Sequence, residues 1–183
     1  MRILYETDRM NACLVDPSFA RVLLSYEKHN RCRFSATHPE SYYTEASFID
    51  LCERQCSLME QKRMVYLLFF AKSESRFIRA AVQLNHIVYG ISRSAKIGYS
   101  VDKDYHRQGY GKEAVASVIN YAFKAMNLHR IEANIAFDNE ASLALVASLG
   151  FAYEGVCKGY LRINGKWEDH LRYALLNEHD KST

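Results

Sequence analysis

The residues best suited to chemistry lie in one short segment, Asp104 to Glu113, which reads Asp-Tyr-His-Arg-Gln-Gly-Tyr-Gly-Lys-Glu. Glycines at positions 109 and 111 allow a tight backbone turn in which successive N–H groups point to one place. A helix predicted to begin at Lys112 adds the positive end of its dipole. Together these features predict a cradle for an anion such as a diphosphate. The alternative is a plain strand-to-helix turn that needs two glycines.

The spacing of these glycines differs from two common phosphate-binding loops. The segment has no GxxxxGK[ST] pattern, and the single residue between its glycines does not match GxGxxG.

The five cysteines, at positions 13, 32, 52, 56 and 157, form no CxxC pair. Cys52 and Cys56 share a helix face but lack further ligands nearby, so we expect free thiols and no metal.

Composition predicts one soluble domain over residues 1–183. The chain is 49% hydrophobic and 25% charged, with a net charge of +3 that gives no reason to expect binding to nucleic acid or a membrane. The longest apolar run, Met64–Ala71, is far shorter than the roughly 18 residues that indicate a membrane span. Acidic residues near the N-terminus do not match a signal peptide, so a cytoplasmic location is expected.

The elements that position the glycine segment alternate between strands and helices. A strand, the glycine turn, a helix and a second strand form a βαβ unit, in which the two strands are parallel. Asp16-Pro17 predicts a helix start, Gly150 a helix end and Asn164-Gly165 a hairpin turn. We expect helices over 17–30, 41–63, 112–126 and 140–149, and strands over 9–15, 64–71, 76–84, 95–101, 129–136, 151–163 and 167–176.

The run His106-Arg-Gln-Gly-Tyr-Gly111 resembles the Arg/Gln-x-x-Gly-x-Gly/Ala signature of the GNAT superfamily, with His106 in place of Arg or Gln. The similarity continues through Asp138–Ser142, Leu149–Gly155 and Lys158–His170, where the chain looks like acetyltransferases of the RimJ/RimL type. The resemblance implies an α/β fold with a mixed, twisted sheet of six or seven strands, a central V-shaped split and helices on both faces. It also implies direct acetyl transfer from acetyl-CoA bound in the split.

The same resemblance indicates which residues hold the cofactor. The loop N–H groups would bind the pyrophosphate, and the two splayed strands would hold the pantetheine arm. The expected cofactor-binding residues are Ser100, Val101, Asp102, His106, Arg107, Gln108, Gly109, Tyr110, Gly111, Lys112, Asn134 and Asn139.

Asn139 and Ser142 are the expected catalytic residues. Asn139 matches the family asparagine that contacts pantetheine, but it is equally suited to cap the following helix. Many GNAT enzymes have a tyrosine acid seven residues later, where this chain has Val146. Ser142 matches the serine of RimJ/RimL relatives and would donate a hydrogen bond or proton to the thiolate; the alternative is a serine that bonds only backbone or water.

No general base can be carried over by resemblance, because Leu161 occupies the position of the glutamate assigned in the RimL branch. Glu154, Asp169 and His170 are candidates by chemistry alone, and hairpin ion pairs are the simpler interpretation. An N-terminal amine has a pKa of about 7.7 to 8.0, so a chain of waters is a further possibility.

The acceptor site is expected near the last hairpin, where Tyr153, Tyr160 and Trp167 would form an aromatic wall or else belong to the core. The segment from His38 to Tyr43 would close over it. The expected acceptor is the N-terminal amine of a protein, such as a ribosomal protein. A small amine acceptor and a non-catalytic acyl-CoA-binding role are the alternatives, and the chain is expected to be a monomer or homodimer.

Overall fold

A computed structural model of the protein describes residues 3–31, 39–163 and 165–178, and within them it contains four α-helices and eight strands. The strands are β1 (Ile3–Glu6), β2 (Met10–Leu14), β3 (Val65–Ala71), β4 (Glu74–Val88), β5 (Ser94–Val101), β6 (Arg130–Ala136), β7 (Ala152–Ile163) and β8 (Lys166–Leu176). The helices are α1 (Ala20–Asn30), α2 (Glu45–Glu60), α3 (Tyr110–Lys124) and α4 (Glu140–Ser148).

All eight strands form one mixed sheet in the order β1-β2-β3-β4-β5-β6-β8-β7. The expected α/β class is confirmed, with one strand more than the sequence suggested. The added strand is β1, a four-residue edge strand whose half-exposed residues give no clear alternation. The parallel pair is β5–β6, as the βαβ pattern predicted, and the other neighbouring strands run antiparallel.

The centre of the sheet is split between β5 and β6. The two strands pair only at Ser94–Arg130, Ala95–Ile131 and Lys96–Glu132. Beyond these pairs β5 continues beside β4 alone, and β6 beside β8 alone. The expected V-shaped opening is therefore confirmed, and it widens toward the carboxyl ends of both strands.

Helices cover both faces of the sheet because the strands alternate their apolar side chains. On one face Ile97, Ile131 and Ile135 pack with Val115 and Val118 of α3 and with residues of α4. On the other face α1 and α2 pack on β3 through Leu23, Phe48 and Phe70. The two cores thus hold α3 and α4 on one face of the sheet and α1 and α2 on the other face.

The local turn signals are confirmed where they fall on described residues. Asp16 accepts a hydrogen bond from the N–H of Ser18, Pro17 begins a short 3-10 turn before α1, and Gly150 has a φ of +83° after α4. β7 and β8 form the expected hairpin, paired up to Ile163–Lys166. Cys32, His38 and Asn164 lie outside the described residues. Within the described ranges, no helix combines the length and apolarity needed to cross a membrane.

Candidate active site

The glycine segment forms a turn between β5 and α3 with two residues in the left-handed region. Arg107 has a φ of +59° and Gly109 a φ of +83°, and Gly109 is the residue that caps α3. A turn that alternates left-handed residues with others points its N–H groups toward one concave point that suits an anion. The amides of Tyr110 and Gly111, in the first turn of α3, have no helical acceptor and point the same way.

Side chains within the segment hold the turn against the end of β5. The His106 ring donates from Nε2 to the carbonyl of Val101 at 3.0 Å, and Gln108 donates to the carbonyl of Asp104 at 3.1 Å. A Cβ atom on Gly111 would lie 2.9 Å from Cγ2 of Val101. A glycine is thus needed at position 111 because α3 approaches β5 too closely for a side chain.

The turn between β1 and β2 clamps the start of α3, a contact that sequence reasoning missed. Thr7 Oγ1 donates to Glu113 at 2.6 Å, the Arg9 backbone N–H donates at 2.9 Å, and Arg9 Nε donates to the second carboxylate oxygen at 2.6 Å. Arg9 Nη1 also donates to the carbonyl of Gln108 at 2.9 Å. The run Glu6-Thr-Asp-Arg9 also resembles the family, and this resemblance is the signal in the sequence that points to the clamp.

The clamp determines the ionisation of Glu113. Burial alone would raise the pKa of this carboxyl group, but the hydrogen bonds from Thr7 and Arg9, together with the Arg9 charge, outweigh burial and hold the pKa below its ordinary value of 4.5. Glu113 is therefore an anion at neutral pH, at the positive end of the α3 dipole.

Cations and tyrosine rings alternate behind the cradle. The Arg9 guanidinium lies 4.3 Å from the centre of the Tyr110 ring, and Arg79 lies 3.8 Å from that of Tyr105. The two tyrosine rings meet edge to face at 5.7 Å. Arg79 is buried and forms an ion pair with Glu74, so this stack anchors the turn to β4.

Three of the predicted cofactor-binding residues, Ser100, Val101 and Asp102, lie at the carboxyl end of β5. Ser100 faces α1, where its hydroxyl lies 3.0 Å from the Tyr26 hydroxyl. Val101 packs in the core beside α3. Asp102 is buried: its backbone N–H donates to the carbonyl of Arg79, and its carboxylate accepts a hydrogen bond from the N–H of Asp104.

Helix α4 begins beside the split with both predicted catalytic residues. Asn139 Oδ1 accepts a hydrogen bond from the N–H of Ser142 at 3.1 Å, so the expected helix-capping role of Asn139 is confirmed. The Ser142 hydroxyl is half-exposed and has no hydrogen-bond partner among the described residues. Tyr99 of β5 donates to the Ser142 carbonyl at 3.4 Å. Val146 is fully buried in the core of that face.

A polar cluster lines the split on the side of α1 and α2. Asn134 donates to the Tyr160 hydroxyl at 3.1 Å, and Lys96 Nζ lies 3.5 Å from the same oxygen. The Cys157 thiol donates to Asn134 at 3.4 Å, and the His170 ring packs on Tyr160 at 5.1 Å. The structure therefore brings Asn134 and Tyr160 together, although the sequence assigned them to different ligands.

The three predicted acceptor aromatics do not form one wall. Tyr153 packs on Tyr173 at 5.5 Å, on the face of the sheet that carries α3 and α4, so it lies away from Tyr160. Trp167 is 68% exposed. It borders a cleft of about 490 Å³ at the open end of the split, between the end of β6 and the β7–β8 hairpin. The residues lining the cleft are Ala136, Phe137, Asp138, Trp167, Glu168 and Asp169.

Two of the three candidate bases are held as ion pairs. Glu154 binds the Arg130 guanidinium, which lowers the pKa of the carboxyl group. Asp169 accepts from Lys158 and from the N–H of Gly159, each at 2.7 Å, and these bonds also lower its pKa. A carboxylate with a lowered pKa is a weak proton acceptor, so the geometry supports the simpler interpretation of both residues. His170 is buried and its Nδ1 donates to the carbonyl of Glu168 at 3.3 Å.

A split parallel strand pair with an amide cradle at its mouth defines an acyl-CoA-binding α/β fold. Residues 14–152 match the family model described as an acetyltransferase (GNAT) domain. The chain is 36% identical to the probable N-acetyltransferase YjcK of Bacillus subtilis, covering 81% of this chain and 82% of that protein. It is 30% identical to the ribosomal protein uS5-alanine N-acetyltransferase of Escherichia coli, covering 95% and 91%.

Among solved structures, RimJ of Mycobacterium smegmatis in complex with CoA-disulfide superposes with a TM-score of 0.86. The two chains are 25% identical, with coverage of 95% and 85%. The chain belongs to the GNAT acetyltransferase family. It is an N-acetyltransferase whose acetyl donor is acetyl-CoA.

We predict that Gly109→Glu abolishes tight CoA binding, because it adds a negative charge beside the cradle and its Cβ would lie 3.2 Å from Nη2 of Arg9, whose guanidinium holds the turn. Gly90→Glu is the matched control, since Gly90 has a φ of +82° and open space around it. Each variant places a side chain in the left-handed region at a cost of about 1 kcal/mol. Calorimetry should show about a tenfold or greater loss of CoA affinity for Gly109→Glu alone. Equal affinities in the two variants would refute the cradle.

We predict that Glu113→Gln destabilises the fold in a pH-dependent way. The folded pKa of Glu113 lies below its unfolded value, so the stabilisation is present above pH 4.5 and is lost as the pH falls through the folded pKa. Thermal unfolding at pH 7 should show a loss of about 1–3 kcal/mol that disappears near the acid limit. Glu45→Gln, which removes an exposed ion pair with Arg21, is the control and should change little. A pH-independent loss would contradict the clamp.

Proposed function

We propose that this enzyme acetylates the N-terminal α-amine of a protein, with a ribosomal protein as the expected acceptor. The observation that carries the proposal is the similarity to the uS5-alanine N-acetyltransferase over nearly the whole of both chains. The similarity includes the first 90 residues and the last hairpin, where acceptor identity is expected to be encoded.

The cleft beside Trp167 supports a peptide acceptor. It is an open cleft of about 490 Å³ between the end of β6, which borders the wide end of the split, and the start of β8. Exposed rings of Phe137 and Trp167 can pack on an extended peptide, while Asp138 and Glu168 can attract a basic one. The local carboxylates would offset the net charge of +3, which by itself repels a basic substrate.

In this proposal the acetyl donor lies in the split. Amides of the turn from Arg107 to Lys112 bind the pyrophosphate, because they converge at the positive end of α3. The backbone of β5 beyond Lys96 offers N–H and C=O groups to the pantetheine arm, since β6 does not pair with them. Acetyl-CoA supplies the acetyl group as a thioester. Asn139 keeps the start of α4 in place and contacts the arm from there.

In this proposal the Ser142 hydroxyl assists the departing sulfur. It is free of other partners among the described residues, and the bond from Tyr99 to the Ser142 carbonyl fixes its backbone. A hydroxyl that donates to a thiolate stabilises negative charge as the carbon–sulfur bond breaks. On the opposite side of the split, Tyr160 would contact the acceptor, with Lys96 and Asn134 holding its hydroxyl.

The acceptor class is tested by the release of free CoA from acetyl-CoA with a panel of amines. Peptides that begin with alanine should react fastest, and a ribosomal-protein N-terminal peptide should exceed spermidine and free amino acids in kcat/KM by about tenfold or more. Preference for a small amine would contradict the peptide acceptor. CoA binding without turnover of any amine would indicate a non-catalytic acyl-CoA-binding protein.

We predict that Ser142→Ala lowers kcat by about 10²-fold while leaving CoA affinity unchanged, because the hydroxyl acts on the leaving group. Ser148→Ala is the control on the same helix, since Ser148 is exposed and its hydroxyl donates to the carbonyl of Leu145. Steady-state kinetics and calorimetry measure the two quantities. An unchanged kcat in Ser142→Ala would remove this residue from the mechanism.

A further inference from the structure

The Tyr160 hydroxyl of β7 bridges the two strands of the split at the point where they separate. The ammonium group of Lys96 on β5 lies 3.5 Å from this oxygen, and Asn134 of β6 donates to it at 3.1 Å. Lys96 and Glu132 form the last pair between β5 and β6, and Asn134 lies just beyond Glu132 on β6. The hydroxyl therefore lies across the apex of the split, where the opening begins.

The hydrogen bonds of this hydroxyl leave it only the role of a donor. A tyrosine oxygen accepts up to two hydrogen bonds and donates one. Lys96 and Asn134 take the two acceptor positions, and the Cys157 thiol donates to Oδ1 of Asn134 at 3.4 Å, which turns the NH₂ group of that amide toward Tyr160. The hydroxyl hydrogen of Tyr160 has no acceptor within the described part of the chain.

A bulge in β7 directs Tyr160 toward the split. The pairing of β7 with β8 is irregular between Cys157 and Leu161, and Gly159 inside this stretch has a φ of +53°. Cys157 and Tyr160 are three positions apart, yet both contact Asn134, which strict alternation along a strand would not allow. Bulges re-aim side chains in this way beside active sites.

The proposed position of acetyl-CoA brings its thioester to the same apex. With the pyrophosphate on the turn after β5, the pantetheine arm runs back along the open edge of that strand. The arm is about as long as four residues of extended chain, roughly 13 Å. Counted back from Val101, the last residue of β5, this length ends beside Ile97, the neighbour of Lys96. The thioester is therefore expected within reach of the Tyr160 hydroxyl.

We propose that Tyr160 donates its hydroxyl hydrogen to the carbonyl oxygen of the thioester and stabilises the negative charge that forms there during acetyl transfer. The neutral amine nitrogen forms a bond to the carbonyl carbon while the π electrons of the C=O bond move to oxygen. These electrons then restore the double bond, the carbon–sulfur bond breaks with its pair on sulfur, and one proton passes from nitrogen to sulfur. The products are the acetylated amine and the CoA thiol, and Tyr160 keeps its proton.

Lys96 is a positioning residue for this hydroxyl. Its ammonium group lies 5.2 Å from the centre of the Tyr160 ring and forms no ion pair among the residues that the structure describes. Glu132, its partner in the strand register, is bound instead by Arg130 at 2.8 Å. A cation beside the hydroxyl oxygen polarises the O–H bond and makes its hydrogen a better donor. A donor fixed where negative charge develops lowers the barrier to reaction.

The first test is Tyr160→Phe, which removes the hydroxyl and keeps the ring against His170. With whichever amine the enzyme acetylates fastest, kcat should fall about 10²-fold. Affinity for CoA, which lacks the carbonyl group, should be unchanged by calorimetry. Tyr89→Phe is the control and should keep full activity, since Tyr89 is exposed on the turn between β4 and β5. An unchanged kcat, or a loss confined to the KM of the amine, would overturn the proposal.

Infrared spectroscopy without any acceptor tests the contact itself. Bound acetyl-CoA labelled with carbon-13 at the carbonyl should show a lower C=O stretching frequency in the unmodified enzyme than in Tyr160→Phe, because a hydrogen bond to the oxygen weakens the double bond. Equal frequencies would contradict the assignment, which rests on acetyl-CoA lying in the split and not on the nature of the acceptor. If acetyl-CoA protects β5 amides from hydrogen exchange and the frequencies are equal, only the role of Tyr160 is wrong. If it protects none of them, the proposed position of acetyl-CoA is wrong as well.

The role of Lys96 is tested by a double-mutant cycle. Lys96→Met should lower kcat about tenfold, and Lys96→Arg should recover part of this loss because the positive charge returns. Adding Lys96→Met to Tyr160→Phe should cost little further activity, since Lys96 acts through the hydroxyl that is already absent. Losses that multiply in the double variant would contradict this coupling.

Discussion

Strands β5 and β6 stop pairing after Lys96 and Glu132, and this break in the middle of the sheet is the constraint on which the site depends. Backbone N–H and C=O groups are costly to leave without partners, so an open edge inside a sheet persists only where something else supports it. The two hydrophobic cores supply that support by holding helices on both faces. In the proposed function the open edge of β5 is the template for the extended cofactor arm, with the amide cradle at its mouth.

The cradle in turn depends on residues far away in sequence. Arg9 and Thr7 hold Glu113, Arg9 also holds the carbonyl of Gln108, and Arg79 supports the Tyr105 ring beneath the turn. Arg107 and Gly109 of this turn have left-handed backbone conformations. The contacts from Arg9, Thr7 and Arg79 hold the turn in that conformation. Rigid support of this kind lets backbone amides act as a preorganised anion site.

Local chemistry explains what the sequence could predict. The turn from Asp104 to Glu113, the start of a helical segment after Asp16 and its end at Gly150 are each determined by a few neighbouring residues, and the βαβ order determines that β5 and β6 are parallel. The clamp between Arg9 and Glu113 spans 104 positions and depends on how β1 and β2 pack beside α3. Tyr153 and Tyr160 are seven positions apart on β7, an odd spacing that by alternation puts their side chains on opposite faces of the sheet, where the structure has them.

Hydrogen–deuterium exchange with and without acetyl-CoA tests the central claim most directly. If the acetyl donor lies in the split, amides of β5 after Lys96 and of the turn from Arg107 to Lys112 should gain protection, because the ligand supplies the partners that β6 does not. Amides of β7 at the edge of the sheet should keep their exchange rates. Protection confined to other elements, or none in β5, would contradict a site built on the break between β5 and β6.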